Sequence, residues 1–68
     1  MNLKNEMKAL FAKEGLTMTE VLNRLAEKYD WSRSVPNFSA KLRKESLRYR
    51  EAVEIADVLG YKIVWERK

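Results

Sequence analysis

The chain has 68 residues with fourteen Lys and Arg against ten Asp and Glu, a formal net charge of +4, no Cys and no His. That length makes one domain with a small core. The missing residue types remove disulfides, thiolate zinc sites, the usual general base and the commonest metal ligand. No apolar run approaches the roughly 18 residues of a membrane span, and no signal-peptide core is present. The composition therefore predicts a soluble intracellular binding module, without cofactor or metal, that is not an enzyme.

From Asn2 to Glu14, Leu3, Met7, Leu10 and Phe11 repeat at i, i+4, i+7, i+8, the stripe of an amphipathic helix. Gly15 ends it. Thr17-Met-Thr-Glu20 has capping-box spacing, so a second helix starts at Met18 and buries Met18, Val21, Leu22, Leu25 and Tyr29. The pattern breaks over Asp30-Trp-Ser-Arg-Ser34, where Trp31 is expected to cover a seam of the core. Ser34-Val-Pro36 reads as a new helix start, with Pro in the first turn. Phe38 and Leu42 face inward on this third helix, and Pro36, Asn37, Ala40 and Lys44 face outward. A fourth helix from about Tyr49 to Leu59 buries Ala52, Ile55, Ala56 and Leu59 and stops at Gly60.

After Gly60 the period changes from 3.6 to 2: Tyr61, Ile63 and Trp65 alternate with Lys62, Val64 and Glu66. The spacing predicts a β-strand over about 61–66. Its backbone needs a partner, either the residues before the first helix or the same strand of a second copy. The fold class expected is mainly α, a single four-helix domain over 1–68 with one C-terminal strand and a core of Leu10, Phe11, Leu22, Leu25, Phe38, Leu42, Ile55 and Leu59.

The whole net charge lies in Lys41-Leu-Arg-Lys-Glu-Ser-Leu-Arg-Tyr-Arg50, with five bases and one acid. Such a single-sign patch on a balanced chain suits a phosphate backbone, where each bound cation releases a counterion. A solvated charged face is the plain alternative. Two helices joined by a connection, the second with small outward residues and a basic trailing end, describe a helix-turn-helix reader of double-stranded DNA. Asn37 can contact adenine bidentately and Ala40 can touch a thymine methyl. Ser34 and Lys41 complete the expected base contacts. Thr17, Arg33, Arg43, Lys44, Arg48, Tyr49 and Arg50 are the expected phosphate contacts, although Thr17 is first a helix cap. Glu51, Glu54 and Asp57 share a face of the fourth helix and read as a solvated face, or as repulsion that keeps DNA off that side.

Gly15-Leu-Thr-Met-Thr-Glu20, Asn37-Phe-Ser-Ala-Lys-Leu42 and Tyr49-Arg-Glu-Ala-Val-Glu-Ile-Ala-Asp-Val-Leu-Gly60 together resemble the lambda-repressor and Cro-like helix-turn-helix family of phage and bacterial regulators. The resemblance covers roughly residues 5 to 60. It implies a DNA-binding regulator, commonly a repressor, that acts as a homodimer in the cytoplasm of a bacterial or phage-infected cell. Two features depart from the family. Ala26 stands where a turn Gly is expected, with Glu27-Lys-Tyr-Asp-Trp-Ser-Arg33 extending the connection, so that either the second helix is longer or the turn is wider. A terminal strand also replaces the family's fifth helix, which looks more like Cro; Tyr61, Ile63, Val64 and Trp65 are then the expected dimer interface. The reading from another class is a protein-interaction module, an antirepressor or antitoxin-like partner. No membrane or small-molecule partner is indicated.

Overall fold

In the computed structural model, which describes residues 2–67, the chain forms four helices: α1 (Leu3–Lys13), α2 (Met18–Tyr29), α3 (Val35–Arg43) and α4 (Tyr49–Val58). Local chemistry sets the start of the first three. The Asn2 side chain accepts from the Asn5 amide at 3.2 Å and caps α1. Thr17 and Glu20 close a reciprocal capping box on α2, at 3.2 and 3.1 Å. Ser34 Oγ accepts from the Asn37 amide at the head of α3, where Pro36 sits in the first turn.

The helix stops also have local causes. Gly15, at φ 72°, lets the chain leave α1 with the Leu16 amide bonded back to the Phe11 carbonyl. Helix α2 runs through Ala26 to Tyr29 and ends at Asp30, which takes the left-handed conformation itself at φ 62°. Both alternatives for the connection hold: the helix is longer, and five irregular residues, Asp30 to Ser34, still follow it.

The core consists of Phe11, Val21, Leu22, Leu25, Phe38, Leu42, Ile55 and Leu59. Phe38 is its keystone. Its ring stacks on Phe11 of α1 with centroids 6.3 Å apart and meets Trp31 edge-on at 5.9 Å, both favourable aromatic geometries. Trp31 is half-buried and closes the seam beneath the connection, as expected.

Two expectations need correction. Leu10 is half-buried, and Val21 completes the core in its place. Helices α1 and α4 do not approach closely, so Leu10 borders an apolar groove between them with Met7, Ala52 and Ala56. The same geometry leaves Ala52 and Ala56 half-buried. The strand expected over 61–66 does not form, and no strand occurs among the described residues. Among the described residues no second segment lies alongside 61–66 to complete a ladder, and an unpaired segment is not a strand.

The tail nonetheless lies against its own body. The Tyr61 amide bonds to the Ala56 carbonyl at 2.8 Å and its hydroxyl to Glu14 at 2.7 Å. Ile63 borders the α1/α4 groove, and Trp65 reaches Tyr49. Lys62 borders the same groove, so the contacts of the tail do not follow the period of two.

Beyond α3, Glu45 is held at φ 54° while the Ser46 amide returns to the Lys41 carbonyl. A left-handed L-residue costs roughly 1–2 kcal/mol, against roughly 0.5–1 kcal/mol for the greater unfolded-state freedom of Gly. Glu45→Gly should therefore stabilise the protein by about 0.5–1 kcal/mol, read as a raised melting temperature. An unchanged or lower melting temperature would show that the contact from the Leu3 amide to Glu45 Oε1, at 3.4 Å, outweighs the strain.

Candidate functional site

The outward face of α3 follows from what it buries. Phe38 and Leu42 are in the core and Val35 packs against it. At 100° per residue the opposite side then carries Pro36, Asn37, Ala40, Arg43 and Lys44. Asn37, Arg43 and Lys44 are exposed, and Ala40 is half-exposed on the same side. This face is short-chained in its first half and cationic in its second.

Lys41 lies elsewhere. It flanks the buried side, half-exposed, with its ammonium ion-paired to Glu51 of α4 and 5.5 Å from the centre of the Trp31 ring. The expectation that Lys41 reaches a base edge is thus met by a side chain already engaged by a carboxylate and an indole. It spans the gap between α3 and α4, whose backbones do not approach closely. An open cleft of about 260 Å³ remains there, floored by Leu22, Trp31 and Phe38.

The acidic face of α4 has a role that the sequence reading missed. Glu51, Glu54 and Asp57 do not project freely into solvent; each holds a different part of the two-helix unit. Glu51 takes Lys41 of α3, and its other oxygen accepts from the Arg48 amide at 2.9 Å. Glu54, with a side chain only 13% exposed, accepts from the Trp31 indole at 2.7 Å and pairs with Arg50 at 3.3 Å. Asp57 accepts from Lys28 at 2.5 Å and from the Tyr29 hydroxyl at 2.6 Å, at the end of α2. The i, i+3, i+6 spacing was visible in the sequence. The facing donors were not, because they lie 10 to 29 positions away.

These contacts divide the basic window. Lys41 and Arg50 have carboxylate partners on α4. Arg43, Lys44 and Arg48 are exposed and, among the described residues, form no ion pair. Of the other expected contacts, Arg33 donates to Asn23 of α2 at 2.9 Å, Thr17 is exposed at the head of α2, and Ser34 is half-buried as the cap of α3. Tyr49 is exposed, and its hydroxyl accepts from the Trp65 indole at 3.2 Å. Tyr61, Ile63, Val64 and Trp65 are all exposed in the single chain.

The chain matches no protein-family description, no curated protein and no solved structure. No helix of the described residues is long and apolar enough to cross a membrane.

Titration reports on the clamp. Burial pushes the Glu51 carboxyl up, but the hydrogen bonds from Lys41 and the Arg48 amide and the charges of both residues outweigh it, leaving the carboxyl below its ordinary 4.5. The hydrogen bond from Lys28, then that from Tyr29, holds Asp57 below 3.8. The same bond to Asp57 raises Lys28 above 10.5 and Tyr29 above 10.0. For the two carboxylates, folding favours the ionised form, so their stabilisation is complete above their ordinary values and fades as pH falls through them. For Lys28 and Tyr29 it fades as pH rises above 10. Stability should therefore hold from about pH 5 to 10 and decline on either side. Asp57→Asn and Glu51→Gln should each lower the melting temperature at pH 7 and weaken the acid-side decline. A variant that melts like the wild type at every pH would show that its carboxylate holds nothing.

Proposed function

We propose that the chain is a sequence-specific DNA-binding transcriptional regulator of helix-turn-helix type, of the lambda-repressor and Cro-like kind, acting as a homodimer in the cytoplasm. The observation that carries this reading is the outward face of α3, where Asn37 and Ala40 stand clear of the core and Arg43 and Lys44 continue the same side. A recognition helix needs that division: short polar or methyl-bearing groups against base edges, and cations beside the groove for phosphate. Ser34, Asn37 and Ala40 are the proposed base contacts. Arg43, Lys44 and Arg48 are the principal phosphate contacts, with Arg33 and Thr17 at the edge. Lys41 acts instead as a positioning residue that fixes α3 on α4. Repression would follow from occupancy of a promoter.

Three unpaired cations in each subunit give about six phosphate neutralisations per dimer, so log affinity against log salt should fall with a slope near −5, at roughly −0.9 per phosphate. Lys44→Ala should weaken binding to every duplex alike. Asn37→Ala should relax preference at one base pair of each half-site, a discrimination of ~1–3 kcal/mol. Titration of the purified protein with a selected and a scrambled duplex checks both. Equal loss on both duplexes for Asn37→Ala makes that residue a backbone contact, and no duplex binding by the wild type overturns the reading.

The homodimer rests on segment 61–66, where beyond the Tyr61 amide the backbone of 62–66 makes no hydrogen bond among the described residues, while Tyr61 and Ile63 are engaged with α1 and the groove. Antiparallel pairing with the same segment of a second copy would satisfy that backbone and form a closed two-fold contact, with Val64 between the copies. The wild type should sediment as a dimer at micromolar concentration. Val64→Pro, which removes a ladder N–H, should sediment as a monomer and lose specific binding. A monomeric wild type would refute this dimer. The exposed apolar set Tyr49, Val53, Ile63, Val64 and Trp65 favours a second reading, a protein-interaction module of antirepressor or antitoxin-like type. It predicts a partner held with little response to salt.

A further inference from the structure

We propose that Tyr49 and Trp65 form a second, sequence-independent contact to the DNA sugar–phosphate backbone, separate from the reading face of α3. The proposal rests on the DNA-binding reading above. Its starting point is the exposure of both rings: Trp65 is 83% and Tyr49 57% exposed, yet they lie against each other with centroids 6.1 Å apart. Neither ring contributes to the core. Exposed apolar surface of this kind marks a place where something docks.

The fold brings them together from opposite ends of α4. Ten helical residues rise about 15 Å, and the extended tail from 61 to 65 covers about 13 Å. The tail therefore returns along α4 and sets Trp65 on the first residue of that helix. This is the end at which the basic window finishes, with Arg48 immediately before Tyr49, and Arg67 lies two residues beyond Trp65. Glu66 is the tail's one acid.

The hydrogen bonding selects the occupant. The Trp65 indole N–H donates to the Tyr49 hydroxyl oxygen at 3.2 Å, so that oxygen is an acceptor and its own O–H must point away from the indole. A phosphate oxygen is an acceptor suited to that donor, and Arg48 supplies the matching charge. The exposed indole face can cover the adjoining deoxyribose. The proposed dimer uses the backbone edge about Val64, whereas the Trp65 ring turns to Tyr49 of α4, so the second copy and the DNA take different surfaces of the tail.

The test uses the full chain with a selected duplex, a scrambled duplex and a selected duplex trimmed to the segment that α3 reads. Affinity is measured over a salt series and sedimentation is run in parallel. Trp65→Ala and Tyr49→Phe should each weaken both full-length duplexes by about fivefold to tenfold. Their salt slopes should match the wild type, because neutral groups displace no counterions. Arg48→Ala should shorten the slope by about 0.9 per subunit. On the trimmed duplex the Trp65 and Tyr49 variants should bind as the wild type does. Wild-type affinity of both variants on the full-length duplexes, with Lys44→Ala still impaired, would refute this contact and leave the DNA reading intact. Weakening accompanied by conversion to monomer would also refute it, by assigning Trp65 to the dimer. Failure of the wild type to bind any duplex would remove both proposals together.

Discussion

Helix α3 is seated by Phe38 on Phe11 and Trp31, and the three carboxylates of α4 tie α4 to α2, to the connection and to α3. Helices α3 and α4 do not approach backbone to backbone, so buried Leu42 and Ile55 alone leave an open cleft between them. Glu51 crosses it to Lys41, Glu54 fixes the connection through Trp31, and Asp57 fixes the end of α2 through Lys28 and Tyr29. One helix face thus holds the end of α2, the connection and α3. Exposed ion pairs contribute little singly. Here they act with a half-buried indole and a largely buried carboxylate, and the arrangement fixes an angle more than it adds stability.

That clamp changes the meaning of the charge. Five cations in ten residues suggest a broad phosphate-binding strip, yet Lys41 is engaged by Glu51 and Trp31, and exposed Arg50 has a carboxylate beside it in Glu54. Lys41 lies where α3 must be held, and Arg43 and Lys44 lie where it turns outward. An uncommitted cation at position 41 would have left half-buried Glu51 with the Arg48 amide and no counter-charge in contact, which is costly. The free charge is therefore concentrated at the C-terminal end of α3 and the loop that follows, next to the aromatic pair at the head of α4.

Much of the fold was legible in the sequence because its signals are local. The capping box at Thr17, the Ser34-Val-Pro36 start and the stop after Gly15 depend on residues within a turn of each other, and each element begins or ends where they point. The inward pair Phe38 and Leu42 follows from helical spacing alone, and with it the outward face of α3. What could not be read was non-local. Glu54 shows no sign of Trp31 twenty-three positions earlier, and Leu10 fits an apolar stripe whether it meets a neighbour or a groove.

The tail separates these two kinds of information. Alternation at Tyr61, Ile63 and Trp65 predicts a strand, and the described tail instead meets the body through Tyr61, Lys62, Ile63 and Trp65. The alternation did not fix a ladder, because a ladder is a property of two segments and the described chain offers one. Glycine explains how the tail gets there: Gly60 at φ 84° ends α4 and lets the Tyr61 amide bond back to Ala56, turning the chain along the groove between α1 and α4. A residue confined to negative φ at position 60 would direct Tyr61 away from Glu14 and Ile63 away from the groove. The backbone edge of 61–66 and the Tyr49–Trp65 pair are thus both consequences of one turn, and any partner that uses either surface depends on it.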